Sequence, residues 1–179
     1  PPSKSPIYQN RNNCALNDLE NVLCQDIDNL SRYDILLSGD LNARTGIAED
    51  YVTVDERIHE FSQYDDLFSN NITTNRCSKD SIVNTFGRVL LNMCISYSMC
   101  ILNGRVGNDT DVGEYTYHGH SGSSVIDYFI CSSDMFYMCE NIKVDISPES
   151  DHMPVVLLLG TLDLGDNSKE DNPVDTNKI

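Results

Sequence analysis

Residues 33–46, YDILLSGDLNARTG, constrain the fold more than any other stretch of the chain. Ile35, Leu36 and Leu37 make an apolar run too short for a helix, which reads as a buried strand. Gly39 breaks the run and permits close approach of the backbone to something else. Asp40 and Asn42 follow two apart. In an extended chain both side chains point the same way, because strand side chains repeat every second residue. A carboxylate and a carboxamide converging at the mouth of a sheet suit a hard cation or a phosphate. The same residues also make an ordinary polar turn after a strand, so the chemistry stays open at this point.

The flanking pattern adds helices. Leu16, Leu19, Leu23, Ile27 and Leu30 recur at three- and four-residue steps and predict a helix from Asn13, capped by Asn12 or Asn13. Asn84 caps a second predicted helix through about Ser98, with Phe86, Leu90, Leu91, Cys94 and Ile95 on its buried side. Helices alternating with short apolar runs give an α/β (α+β) layering in which helices cover a sheet. Residues 48–81 lack a long period and read as a surface excursion.

Residues 99–102 are a short predicted strand ended by Asn-Gly-Arg. Residues 115–117 and 125–131 read as a hairpin with a long Gly/Ser/His tip. Residues 132–139 make one or two helical turns, and 141–146 a half-buried strand. The near-continuous apolar run 153–159 predicts a strand buried on both faces. Residues 1–160 thus form one domain, and the acidic, polar residues 161–179 a disordered tail.

Composition limits the function classes. A chain of 179 residues can bury one real core. It contains no apolar run of about 18 residues, and the first residues have no signal-peptide pattern, so no membrane association is expected. The net charge is −16, of which residues after Gly160 account for −3. An acidic body is unusual for a nucleic-acid partner, whose phosphates attract Lys and Arg. The seven cysteines show no CxxC pair or zinc-finger spacing, and several sit inside apolar runs as small core residues. Such unpatterned thiols indicate an intracellular setting.

Three polar clusters sit at the edges of apolar strands: Asp40 with Asn42, Asp127 inside SVIDYFI, and Asp151-His152 before MPVVLLL. Asp127 interrupts a strand core with a charge, which is costly unless paired. Its natural partner is a His held in one tautomer, and His152 is the best candidate, since His118 and His120 lie on a turn. A hairpin bend whose backbone Asp127 satisfies is the other reading of that residue.

Taken in order, Asp40-x-Asn42, Ser124-Val-Ile-Asp127-Tyr and Ser150-Asp151-His152-x-Pro154 resemble the endonuclease/exonuclease/phosphatase family. The likeness is to the apurinic/apyrimidinic endonuclease-like domains of non-LTR retrotransposons, and the block GDLNARTG, ILNGR at 101–105 and Tyr-Thr-Tyr at 115–117 extend it. The resemblance implies a two-sheet β-sandwich flanked by helices and Mg²⁺-dependent (or Mn²⁺-dependent) cleavage of DNA in the nucleus, with a reverse-transcriptase domain in a longer chain. Carried over by position, Asp40 would orient or deprotonate water and Asn42 would hold the scissile phosphate. His152 would stabilise developing charge, Asp127 would fix its imidazole, and Asp151 would position the metal. Thr116 and Ser124 match positions lining the DNA-facing surface. The IDY form separates nucleases from the family's inositol-polyphosphate phosphatases.

This sequence departs from the pattern at its start. The family's metal-ligating Glu, its early Asn and an active-site Tyr have no counterparts here, and Pro1-Pro2 matches a Pro-Pro pair that follows the Tyr strand. An N-terminally incomplete sandwich with weak or absent turnover is therefore expected. A non-catalytic remnant or binding module, or a phosphatase of the same superfamily, are the alternatives.

Overall fold

The central element is β5, Asp127–Ser132, which pairs antiparallel with β1, Leu36–Asp40, on one side and with β2, Met99–Ile101, on the other. The computed structural model describes residues 15–25, 34–51 and 75–160. The element order is α1 (Ala15–Gln25), β1, α2 (Thr85–Ser96), β2, β3 (Tyr117–Gly119), β4 (Gly122–Ser124), β5, β6 (Cys139–Val144) and β7 (Val155–Leu159). A single 3-10 turn lies at Gly107–Asp109 and a two-turn 3-10 segment at Ser133–Met138. The chain is thus mixed α and β with small antiparallel sheets.

Side-chain alternation in the three-stranded sheet creates two apolar clusters. Met99, Ile101, Tyr128 and Ile130 face Leu90, Leu91, Met93 and Cys94 of α2 together with Leu16 and Leu23 of α1. The intervening residues Cys100, Leu102 and Cys131 face the other way, onto Met135, Cys139 and Ile142, with Val155 and Leu157 of β7 packed alongside. The helices therefore cover one face of β1-β5-β2 and the β6-β7 ribbon covers the other. Period-2 geometry makes this sorting compulsory once the strand register is set.

Several sequence-based expectations are met in detail. Asn84 caps α2, its Oδ1 accepting from the N–H of Gly87 at 2.7 Å. The thiols of Cys94, Cys100, Cys131 and Cys139 are free and buried. Met93 joins the buried side of α2, Phe86 packs against the same cluster half-buried, and Ile95 is half-exposed. The first helix is described over Ala15–Gln25, so the positions of Ile27 and Leu30, like the tail 161–179, lie outside the described residues. Among the described residues no helix is long and apolar enough to cross a membrane.

Three expectations are corrected. The hairpin forms between β3 and β4 across His120-Ser121, while β5 pairs with β1 and β2 instead of closing the hairpin. Its residues are the most apolar of the region, and a central strand buries both faces. The run 153–159 is half exposed: Val156 and Leu158 face outward at 51% and 54% exposure, because β7 packs through one face only. The excursion 48–81 is anchored at both described ends by buried charge. Arg105 makes a two-pronged ion pair with Asp50 at 2.7 and 2.9 Å, and Asp50 also accepts from the N–H of Ile101 at 2.7 Å. Arg76 is buried beside them and donates to the Ala48 carbonyl at 2.9 Å.

Candidate active site

The cleft opens where β1 and β5 begin to separate, at the paired residues Asp40 and Asp127. It encloses about 440 Å³ and is lined by Asp40, Asn42, Arg44, Tyr117, Ser124 and His152, among others. Asp151 also lines it and is exposed.

Asp40 and Asn42 do converge, but by a turn and not by extension. Asn42 takes a left-handed φ of 49°, which Asn tolerates better than most residues. Its backbone N–H donates to Asp40 Oδ1 at 2.9 Å and its carboxamide Nδ2 to Asp40 Oδ2 at 3.2 Å. Gly39 has a φ of +145°, and a Cβ there would meet nothing within 4 Å. Conformation, and not close approach, explains that glycine.

The loop after Asp40 is clamped from several sides. Asn84 Nδ2 donates to the Asn42 carbonyl at 3.1 Å, Asn84 Oδ1 accepts from the Arg44 N–H at 3.0 Å, and the Asn84 N–H donates to the Arg44 carbonyl at 3.0 Å. Gly87 lets α2 lie against the loop, since a Cβ there would stand 1.8 Å from the Arg44 carbonyl oxygen. The buried Tyr128 hydroxyl reaches the carbonyls of Ala43 at 2.9 Å and Val125 at 2.7 Å, with the Thr45 hydroxyl at 3.2 Å. Burial pushes this phenol up to about 12, so it stays protonated and can donate.

On the opposite wall, His152 Nδ1 lies 3.1 Å from each carboxylate oxygen of Asp127. A carboxylate there only accepts, so Nδ1 carries the proton and Nε2 is left for the cleft. The His152 segment is docked on β3: the His118 N–H donates to the Asp151 carbonyl and the Met153 N–H to the Thr116 carbonyl, both at 2.8 Å. The Tyr117 ring meets the His152 ring edge-on at 5.0 Å. His118 is spent on Ser123 Oγ at 2.7 Å, leaving His152 as the partner that the sequence suggested for Asp127.

Thr116 does not line a surface. It is fully buried, and its Oγ1 accepts from the N–H groups of Ile126 and Asp127, both at 3.0 Å. It braces the turn that presents Asp127, because two backbone donors at a strand entry need an acceptor when water is excluded. Ser124 does line the cleft, though it is 92% buried (8% exposed). Asn103, from the ILNGR block, donates to the Asp127 carbonyl at 3.1 Å and accepts from the Phe129 N–H at 3.0 Å, fixing the same strand from the β2 side.

Sequence reasoning missed Arg44 and Asp80 and saw in Asn84 only a helix cap. Arg44 lies two residues beyond Asn42, a spacing that continues the polar alternation of the loop. Asp80, far away in sequence, left no local signal.

As a metal centre the cleft offers chiefly the carboxylate oxygens of Asp40 and Asp151, beside the imidazole of His152. Among the described residues no group of three or more His, Cys, Asp or Glu is placed to hold an ion. Two carboxylates and one imidazole are too few for a closed transition-metal cage and would suit a cation that keeps most of its waters.

No protein-family pattern matches the chain, and no curated protein sequence does. Among solved structures, the chain is similar to a 3'-5' exonuclease (NExo) from Neisseria meningitidis at 18% identity and a TM-score of 0.47, over 89% of this chain and 57% of that one. The chain thus spans little more than half the length of the exonuclease, and a likeness at this level assigns no role to any residue.

Proposed function

We propose that this cleft hydrolyses phosphodiesters in DNA, in the manner of the endonuclease domains of non-LTR retrotransposons, and that its turnover in this chain is slow. The observation that carries the reading is the Asp127–His152 pair set across one cleft from the Asp40–Asn42 turn. Asp127 holds the imidazole in one tautomer and turns Nε2 toward the place where a phosphoryl oxygen gains charge. Asn42 donates to the scissile phosphate, and Asp40 takes a proton from the attacking water or aligns it. Ser124 lines the path of the strand. Asp151 would hold Mg²⁺ or Mn²⁺, directly or through water, and the ion when bound would cancel charge on the phosphoryl oxygens. The layering of helices, three-stranded sheet and ribbon fits part of a two-sheet sandwich. Slow turnover follows from the few protein ligands for an ion and from a net charge of −16, which repels the DNA backbone. In a longer chain the domain would work beside a reverse transcriptase, in the nucleus.

The test is nicking of supercoiled plasmid with Mg²⁺ or Mn²⁺. Slow nicking that Asp40→Ala abolishes and His152→Ala lowers by about 10²–10⁴-fold is expected. No nicking with either ion, and no change in thermal midpoint on adding ion or duplex, would make the cleft a non-catalytic remnant. Phosphate release from inositol phosphates without nicking would reassign it to phosphatase chemistry.

A further inference from the structure

Among the described residues lining the cleft, Arg44 is the one Lys or Arg, set among Asp40, Asp151 and, behind His152, Asp127. It is held by a fork. Its Nε donates to Asp80 Oδ2 at 2.7 Å and its Nη2 to Asp80 Oδ1 at 2.6 Å. A guanidinium has five N–H donors, and these bonds use two of them. No hydrogen bond engages Nη1 among the described residues, so its two donors and the second of Nη2 remain for another acceptor.

The ion pair is also asymmetric. The Asp80 side chain is 1% exposed, whereas that of Arg44 is 28% exposed. The carboxylate is enclosed by backbone donors, accepting from the Ile82 N–H at 3.0 Å and the Val125 N–H at 3.2 Å. The anion is thereby turned inward and the cation outward, into the cleft. A pair serving stability alone has no need of this polarity, since exposing either end would serve equally. The backbone of Arg44 is fixed too, by the two bonds from Asn84. A guanidinium locked at one edge and open at the other matches two oxygens of a phosphate, which a planar fork grips in bidentate fashion.

We infer that Arg44, oriented by Asp80, is a second oxyanion subsite of the cleft, gripping a phosphate of the substrate backbone next to the one held by Asn42. The inference rests on the phosphodiester reading for the identity of its ligand, but not for the existence of the subsite. Asp80 is a positioning residue, and Arg44 the contact.

Binding without turnover separates the two. Inorganic phosphate and a short oligothymidylate are titrated by calorimetry against the parent chain and three variants, with thermal midpoints recorded alongside. Arg44→Ala is expected to weaken both ligands by about tenfold or more. Arg44→Lys keeps the charge but loses the fork, and recovers only part of the loss. Asp80→Asn keeps the guanidinium but loosens the fork that orients it, so ligand affinity falls by less than in Arg44→Ala and by less than the fall in midpoint alone would bring. A merely structural ion pair would instead make Arg44→Lys and Asp80→Asn lose midpoint and affinity together. Affinity unchanged in Arg44→Ala, or lost in Asp80→Asn in proportion to its midpoint, overturns the subsite. Arg44-dependent binding of phosphate in a chain that nicks no plasmid would sustain the subsite and sink the nuclease reading. Tighter binding of inorganic phosphate than of the oligothymidylate would overturn the backbone assignment.

Discussion

Removing one oxygen from the core, by Tyr128→Phe, tests how the cleft is held in shape. The ring is 2% exposed and stays in place, so no cavity forms and the effect is that of the hydroxyl alone. That hydroxyl joins the Ala43 carbonyl, the Val125 carbonyl and the Thr45 hydroxyl. One proton serves the two carbonyls, and Thr45 donates to the phenolic oxygen. Its loss forfeits about 1–1.5 kcal/mol of net hydrogen bonding and leaves at least one buried acceptor without a donor, at about 1–3 kcal/mol more. The total is about 3 kcal/mol, which for a domain of this size lowers the thermal midpoint by about 6–12 °C. Urea unfolding followed by circular dichroism gives the free energy directly. Adding Thr45→Val should cost less than the sum of the two single changes, because the pair shares one network. A Tyr128→Phe chain within about 0.5 kcal/mol of the parent would refute the argument, and with it the view that Tyr128 ties the loop of Asn42 to the turn before Asp127.

Other perturbations follow from the same contacts. Asn84→Ala loses the helix cap and two loop bonds, for about 2–3 kcal/mol in urea unfolding, and Asn84→Asp should recover the cap but not the donor to the Asn42 carbonyl. Gly87→Ala drives a methyl against the Arg44 carbonyl, which backbone cannot evade, so a loss of about 3 kcal/mol or more is expected in the same assay; a neutral result would mean that helix and loop are not in contact. Acid should unfold the chain cooperatively. Burial alone would raise the carboxyls of Asp50 and Asp80, but hydrogen bonds from Arg105 and Arg44 outweigh it and hold both below the ordinary range. Their contribution is complete above the unfolded value of about 3.9 and is lost as pH falls from there through the folded values, so the urea midpoint should drop as the pH is taken below about 3.9. Burial raises Asp109, which works in the opposite direction, and a midpoint that climbed on acidification would show that Asp109 dominates.

What could be read from the residues alone was whatever depends on local pattern. The Asn84 cap, the buried side of α2, the strands around residues 36–40 and 99–101, and the thiols as core residues all follow from spacing and side-chain type. Asp127 and His152 were paired in advance because a carboxylate inside an apolar strand must find a partner, and few groups were eligible. Tertiary structure alone decided matters of pairing and exposure. Thr116 and Val156 illustrate this, one inside although polar and the other outside although apolar. Each outcome depends on which segment lies across from the residue, and no periodicity encodes that. Arg44 is the sharpest instance. Its sequence neighbours mark the loop, but the carboxylate that orients it comes from 36 residues away, and the direction in which its free edge points exists only once the two are folded together.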